Sequence, residues 1–409
     1  MTDTTIRRAP KSAAEARERF APILERLAGD AGRREREHEL PTAVVRELAD
    51  AGLGALRLPV EDGGAGLTFV ELGALLVELA AADSNLPQIF RGHFAFAEDR
   101  LTAPPSADRS AWLSRFAAGE IVGNAWSETG GVGLGESGTR VRRTADGHWV
   151  DGRKYYTTGS LYADWIDATA KDEDGADVTV LVRTDQAGVT VSDDWDGFGQ
   201  QLTGTGTALF EDAAAEQVYP FGDRFRYQTA LYQWTLVTVL AGIAQAVERE
   251  AGEALRARTR VYSHGLAPFA KDDGQLQAVI GEISAVAFTA RALVRSVGEA
   301  LDAAAATSAH RGSADDDAAN IHAEIASAQA QIVLSQSVPH AATRLFDTLG
   351  ASAVSRAAGL DRHWRNARTV ASHNPWVYKA RIVGDWSVNG TVPPFLWQIG
   401  VDRSAPATD

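Results

Sequence analysis

The chain has no cysteine and a single methionine in 409 residues. Without thiols there is no disulfide, no thiolate nucleophile, no iron–sulfur cluster and no cysteine zinc site. Positive charge is also scarce: 40 Lys and Arg stand against 54 Asp and Glu, a formal net charge of −14. That balance argues against nucleic acid, because neutralising phosphates needs a basic face. Long apolar runs are missing too. The longest, Trp234 to Val247, is broken by Thr and Gly and is too short to span a bilayer. The N-terminal Met1-Thr2-Asp3-Thr4-Thr5 lacks the apolar core of a signal peptide. The expectation is a cytoplasmic protein with no membrane segment. The remaining composition, 45% apolar and 23% charged, is that of a globular enzyme. Its length allows two or three domains, each able to bury a core.

Three textures follow one another along the chain. Residues 1–120 read as helical, with Phe20, Ile23, Leu24 and Leu27 at helical spacing, then Val44, Val45, Leu48 and Leu53. A glycine-rich turn, Glu61 to Leu67, precedes an apolar helix from Phe69 to Ala82. Residues 121–225 read as a small antiparallel β domain. Its short apolar segments are separated by Asp146-Gly147 and Asp151-Gly152, both read as hairpin turns, with Val178 to Val182 and Val189 to Val191 as strands. Residues 226–409 return to helix, at 229–258, 275–302, 320–349 and 376–386, and predict a four-helix bundle. The polar stretch Ser308 to Asp317, with its run of three aspartates, reads as a solvated loop.

Gly133-Leu134-Gly135-Glu136-Ser137-Gly138 matches the dinucleotide fingerprint letter for letter. A working fingerprint needs a strand before it and a helix starting on it, whereas Thr139 to Tyr156 reads as hairpins. No Walker loop and no pair of metal-binding histidines at helical spacing is present. The chain therefore lacks a nicotinamide site of its own.

Four segments carry a family resemblance. Pro59 to Leu67 resembles a "P-E-x-x-G-G-x-G" loop, and Ser127-Glu128-Thr129 sits where a "T-E-P" strand is expected. Lys154 to Gly159 is similar to "K-x-x-I-T-N", and Arg362 to Arg368 to the turn "E-R-x-x-R-D-A-R". Together they resemble the acyl-CoA dehydrogenase superfamily over about residues 15 to 390. The resemblance implies an N-terminal α-helical domain, a central antiparallel β domain and a C-terminal four-helix bundle, assembled as a homotetramer. One departure bears on the chemistry. Asn374 stands where the short-chain dehydrogenases carry their catalytic glutamate, and an amide has no basic form to take a proton from carbon. Ser372-His373-Asn374-Pro375 instead resembles the flavin-dependent monooxygenase branch, the group containing dibenzothiophene monooxygenase.

That branch implies a two-component enzyme. A separate NAD(P)H–flavin reductase supplies reduced flavin, FMN favoured and FAD possible. Molecular oxygen is the co-substrate, and a flavin C4a-hydroperoxide oxygenates a hydrophobic, aromatic or heteroaromatic small molecule resembling indole or thiophene. By the same resemblance, His373, Thr158 and Asn124 are the catalytic candidates, as hydrogen-bond donors at the flavin's reactive edge. Ser127, Tyr156, Trp195 and Thr205 would join them in lining the flavin. Arg260 would meet the phosphate, with Arg258 open as the alternative register. His93 is a candidate for substrate contact, or else a satisfied core histidine, and Trp234, Trp376 and Trp397 are candidates for lining an aromatic pocket. No metal site is expected. Two other readings stay open: an acyl-CoA dehydrogenase with a relocated base, and a flavin-binding scaffold without turnover.

Overall fold

The computed structural model describes residues 9–128 and 138–396. Six helices come first: α1 (Ala13–Glu37), α2 (Thr42–Asp50), α3 (Phe69–Ala82), the single-turn α4 (Leu86–Ile89), α5 (Arg91–Thr102) and α6 (Ala107–Ala117). Their starts follow ordinary capping chemistry. Ser12 and Ser106 accept from the backbone N–H three residues on, and Thr68 and Glu71 close a reciprocal capping box ahead of α3.

Seven strands follow: β1 (Val122–Ala125), β2 (Arg140–Thr144), β3 (Gly147–Lys154), β4 (Trp165–Lys171), β5 (Asp177–Arg183), β6 (Val189–Val191) and β7 (Ala208–Pro220). β7 is long enough to bend. Its first half pairs with β3 and β6, and its second half with β5. β5 pairs with β4, and β4 meets β2 at Lys171, so the pairings return on themselves around a core of Val141, Val150, Ile166, Val180 and Phe210. Most pairs are antiparallel. β1 lies parallel to β4 because the chain crosses over through the β2–β3 hairpin before it comes back.

Five helices complete the chain: α7 (Gln228–Ala257), α8 (Gly274–Thr307), α9 (Ala314–Leu349), α10 (Asp361–Ser372) and α11 (Trp376–Asn389). α7, α8 and α9 pack on one another, and α10 and α11 lie against α9. Helix α3, apolar around nearly its whole circumference, inserts between α7 and α8. One hydrophobic core therefore runs from Phe20 to Val370 through both helical blocks, where separate cores were expected.

Three further expectations are corrected. Asp151-Gly152 is no turn: it forms a bulge within β3, where Gly152 adopts φ 153° and a Cβ would strike Thr139. The aspartate run is no solvated loop either. Ser313 caps α9, Asp315 to Asp317 form its first turn, and buried Asp316 pairs with Arg226 at 2.6 Å. Third, the Arg362 to Arg368 motif is helix α10 rather than a turn. The glycine-rich stretch Gly133 to Gly138 lies outside the described residues except for Gly138, as does Trp397, an early candidate for an aromatic pocket.

Candidate active site

The segment after β3 is the centre of the site. Tyr155 forms an isolated bridge with Ser127, two residues past β1, its N–H donating to Ser127 O at 2.8 Å. The chain then turns sharply: Tyr156 takes φ 57° and stands half exposed, and Gly159 takes φ 82°. A Cβ on Gly159 would lie 2.2 Å from the Ile89 carbonyl, so only glycine fits between this turn and α4. Glu128, next to Ser127, is paired with buried Lys154, which fastens the two segments together beneath the site.

Proton accounting changes the role expected for Thr158. Thr203 Oγ1 donates to the Gln200 carbonyl at 2.8 Å, so it must accept from Thr205. Thr205 then accepts from Thr158 at 2.8 Å. Each hydroxyl has one proton, so Thr158 presents lone pairs to the site. It is an acceptor, not the donor first expected. Asn124, on β1, adds a second acceptor: its buried Oδ1 has no partner among the described residues. Gly92 makes that close approach possible, since a Cβ there would sit 3.0 Å from Asn124 Oδ1.

Trp195 and Tyr156 meet edge to face at 6.0 Å, and Trp195 Nε1 donates to Gly199 O at 3.0 Å. The loop holding Trp195 is docked on α10: Gln200 N donates to Asn366 Oδ1 at 2.6 Å, and Phe198 stacks on Trp364. α10 is itself bolted down at its start. Arg362 and His363 both engage Glu250 of α7, at 2.7 and 3.0 Å, and Asn366 reaches Glu35 of α1. His363 and Arg362 together hold the Glu250 carboxyl far below its ordinary range, against the burial that would raise it. His373 is thereby presented at the free end of a fixed helix.

Solvent reaches the His373 ring, yet the protein packed around it and the nearby Arg91 charge push its pKa well below the usual imidazole value. It is a neutral imidazole at pH 7. The Asn374 amide donates to His373 Nδ1 at 3.2 Å, which leaves the proton on Nε2.

Two sequence candidates do not join this cluster. His93 is fully buried. Its Nε2 donates to Gly54 O at 2.9 Å and its Nδ1 accepts from Val122 N–H at 3.3 Å, so both ring nitrogens are spent. Burial lowers its pKa to about 4. The substrate contact expected of His93 does not fit these surroundings, and it is a satisfied core histidine. Arg260 lies past the far end of α7. From Tyr232, which touches the site, to Ala257 is about 37 Å at 1.5 Å per residue. Arg260 of this chain therefore cannot reach a ligand held by Thr158 and Asn124. Its rival Arg258 is spent on the Thr348 carbonyl at 2.9 Å. Trp234, an early pocket candidate, is core, with Nε1 on Val294 O.

Sequence reading missed three residues. Arg91, Tyr232 and Trp126 gather beside Asn124: Trp126 meets Tyr232 edge to face at 5.4 Å, and the Arg91 guanidinium lies 5.1 Å from the Tyr232 ring centre. The signal for Arg91 was one charge inside the apolar stretch Leu86 to Phe94. Among the described residues no group of His, Asp or Glu is arranged to hold a metal.

Residues 13–120 match the acyl-CoA dehydrogenase N-terminal domain family, and residues 234–376 the acyl-CoA dehydrogenase C-terminal domain family. The chain belongs to the acyl-CoA dehydrogenase family. Within it, the chain is 27% identical to a probable FMNH2-dependent monooxygenase, SfnC, of Pseudomonas putida, over 86% of this chain and 89% of that protein. It is 26% identical to the dibenzothiophene monooxygenase of Rhodococcus erythropolis, over 91% and 92% of the two. The crystal structure of TdsC from Paenibacillus sp. A11-2 with FMN and indole superposes with a TM-score of 0.82 at 27% identity, covering 93% of this chain and 99% of TdsC.

Proposed function

We propose that this chain is the oxygenase of a two-component system, a reduced-flavin-dependent monooxygenase acting on an aromatic or heteroaromatic small molecule. The observation that carries the reading is the pair of acceptors at Thr158 and Asn124. A reduced isoalloxazine carries ring N–H groups that the oxidised ring lacks, and the lone pairs of Thr158 Oγ1 and Asn124 Oδ1 fit the reduced form. Thr158, Thr205 and Asn124 would hold the ring's polar edge, with Tyr156, Trp195 and Ser127 along it. Reduced flavin, when bound, supplies two electrons to oxygen: one oxygen atom passes to the substrate and the other leaves as water. The protein's own part is to exclude water and to donate one hydrogen bond from His373 Nε2. A neutral imidazole does this without adding a second positive charge beside Arg91.

Reduced FMN is the favoured cofactor and reduced FAD the possible alternative. Arg258 closes onto the Thr348–Gly350 turn, where the dehydrogenases of this family cradle an adenine half. A separate NAD(P)H–flavin reductase is the partner, and we assign the reaction to the cytoplasm, where reduced nicotinamides are made. We also propose the homotetramer. Arg260 serves a flavin only if that flavin sits on a second copy. α7 and α8 are both long and apolar enough to cross a membrane by length and composition, but α7 is the core helix. The apolar window of α8 is only 22% buried, and Leu266, Phe269 and Phe288 stand exposed on or beside it, a face suited to a second copy.

The relocated-base reading is weaker, because α7 carries no acidic residue from Gln228 to Val247, the half that meets the site. The test is oxygen-18 labelling. Anaerobically reduced FMN, the protein and indole are mixed with labelled oxygen. Label in the organic product supports the oxygenase. Anaerobic bleaching of bound flavin by an acyl-CoA, with no labelled product, would establish the dehydrogenase instead. No labelled product from indole or from benzenesulfinate, and no bleaching, would mean a scaffold.

A further inference from the structure

Arg91 has no counterpart in the chemistry above. It is 5% exposed, in the first turn of α5, and among the described residues no carboxylate forms an ion pair with it. Its Nε is sealed from solvent without a hydrogen-bond partner. Burial lowers its pKa only to about 10, so it remains a cation at neutral pH. Two neighbours are also unspent among the described residues: the Tyr232 hydroxyl is buried without a partner, and so is Asn124 Oδ1, which lies against Gly92, the residue after Arg91. Buried guanidinium groups elsewhere in this chain all find acids. Arg224 takes Asp167 at 3.0 Å, Arg57 takes Glu98 at 2.9 Å and Arg34 takes Asp83 at 2.8 Å. A buried cation that meets a tyrosine ring but no acid, with that tyrosine's hydroxyl also without a partner among the described residues, is a half-built anion site.

We infer that Arg91, with the Tyr232 hydroxyl, recognises a single negative charge on the substrate, so that the substrate is an aromatic carboxylate or sulfinate rather than a neutral hydrocarbon-like ring. The position of Arg91 favours the substrate over the cofactor. Thr158, Thr205, Tyr156 and Trp195 come from the connections after β3 and before β7 and form the flavin wall. Arg91, Tyr232 and Trp126 come from α5, α7 and the end of β1, and they pair an aromatic surface with one fixed charge. A planar guanidinium matches the two oxygens of a carboxylate or sulfinate. Calling the ligand a substrate rests on the monooxygenase reading; the anion preference itself does not.

The experiment is equilibrium binding to the flavin-free protein, which needs no turnover. Calorimetry compares benzoate with benzamide, and benzenesulfinate with methyl phenyl sulfoxide, on the wild type, Arg91→Gln and Arg91→Lys. Each anion is expected to bind the wild type about 10- to 100-fold more tightly than its neutral partner, as one charged hydrogen-bonded contact supplies. Arg91→Gln abolishes the difference and Arg91→Lys restores part of it. Equal affinity for anion and neutral partner in the wild type overturns the proposal, whether or not Arg91→Gln folds. Reduced FMN titrated into the same variants is the second arm: Arg91→Gln weakening FMN rather than benzoate would make Arg91 a cofactor residue and overturn it too. Failure of the labelling test with retained benzoate preference would leave the anion site standing and remove only the oxygenase.

Discussion

Two kinds of buried polar chemistry lie side by side in this molecule, one closed on itself and one left open. In the closed region His93 spends both ring nitrogens, Arg224 lies against Asp167, and the root of α10 is locked by Glu250. In the open region, among the described residues, Arg91 has no acid, Asn124 Oδ1 and Tyr232 Oη have no partners, and His373 keeps Nε2–H free. Both regions touch the same tyrosine ring: the Arg91 and Arg224 charges each act on Tyr232. Burial does not separate them, and neither does residue type. Ion pairing does: Arg224 has the Asp167 carboxylate at 3.0 Å, while Arg91 has no acid among the described residues, an unpaired buried charge that a bound anion would complete.

The largest effect should come from opening the closed region. Asp167→Ala strands Arg224 as a second uncompensated cation at Tyr232, and breaking a buried pair from one side costs about 3–5 kcal/mol. Urea unfolding should show that loss, while Arg91→Met, which removes a charge that has no partner, should shift stability by less than about 1 kcal/mol or raise it. If Arg91→Met costs as much as Asp167→Ala, Arg91 is satisfied within the protein and the contrast collapses. Next in size is His373→Ala. The coupling ratio, product formed over hydrogen peroxide released, should fall about 100-fold, the low end for a positioned proton donor, with thermal stability nearly unchanged. A variant that unfolds more easily yet couples normally would move His373 into the closed class.

The histidines also differ with pH. The folded His93 pKa lies near 4, below its unfolded value of about 6.5. The unfolded chain therefore binds the extra proton between those values, and stability falls as pH drops through that window. Between pH 7 and 5 this one residue should withdraw about 2 kcal/mol, read as the difference in urea-midpoint slope between the wild type and His93→Gln. An identical slope in the two proteins would mean that His93 is not sealed.

How much of this was legible in sequence follows the same division. The long helices were visible because apolar residues recur at helical spacing, and the β2–β3 hairpin because Asp146-Gly147 satisfies a tight turn. Asp151-Gly152 carries the same two letters. There the positive φ serves a bulge against Thr139, a fact about a neighbour that the letters do not contain. Asp315 to Asp317 read as loop from charge alone, though Ser313 followed by acids is also a helix start, and only Arg226 decides between them. His373, Thr158 and Asn124 were found through resemblance to the family's motifs. Thr158's direction of donation was not, because it depends on Thr203 and Thr205 some 45 residues away. Arg91 was missed because an arginine near the end of the apolar stretch Leu86 to Phe94 looks like any paired one until its surroundings are counted.

The smallest expected effect tests the finest point of the contrast, the proton position on His373. The Asn374 amide donates to Nδ1 and so keeps the single imidazole proton on Nε2. Asn374→Leu removes that donor without touching flavin or substrate contacts, and Asn374→Asp replaces it with an acceptor that draws the proton to Nδ1. One hydrogen bond of about 1 kcal/mol corresponds to about a fivefold fall in coupling for Asn374→Leu. Asn374→Asp should fall further, because a carboxylate at Nδ1 both inverts the tautomer and raises the imidazole pKa. The apparent KM for substrate should not move in either variant, while the pH profile of coupling should shift upward only in Asn374→Asp. A merely structural Asn374 would lower both variants equally and leave the pH profile where it was. That outcome would assign the His373 tautomer to another cause and leave the open region with one fewer designed contact.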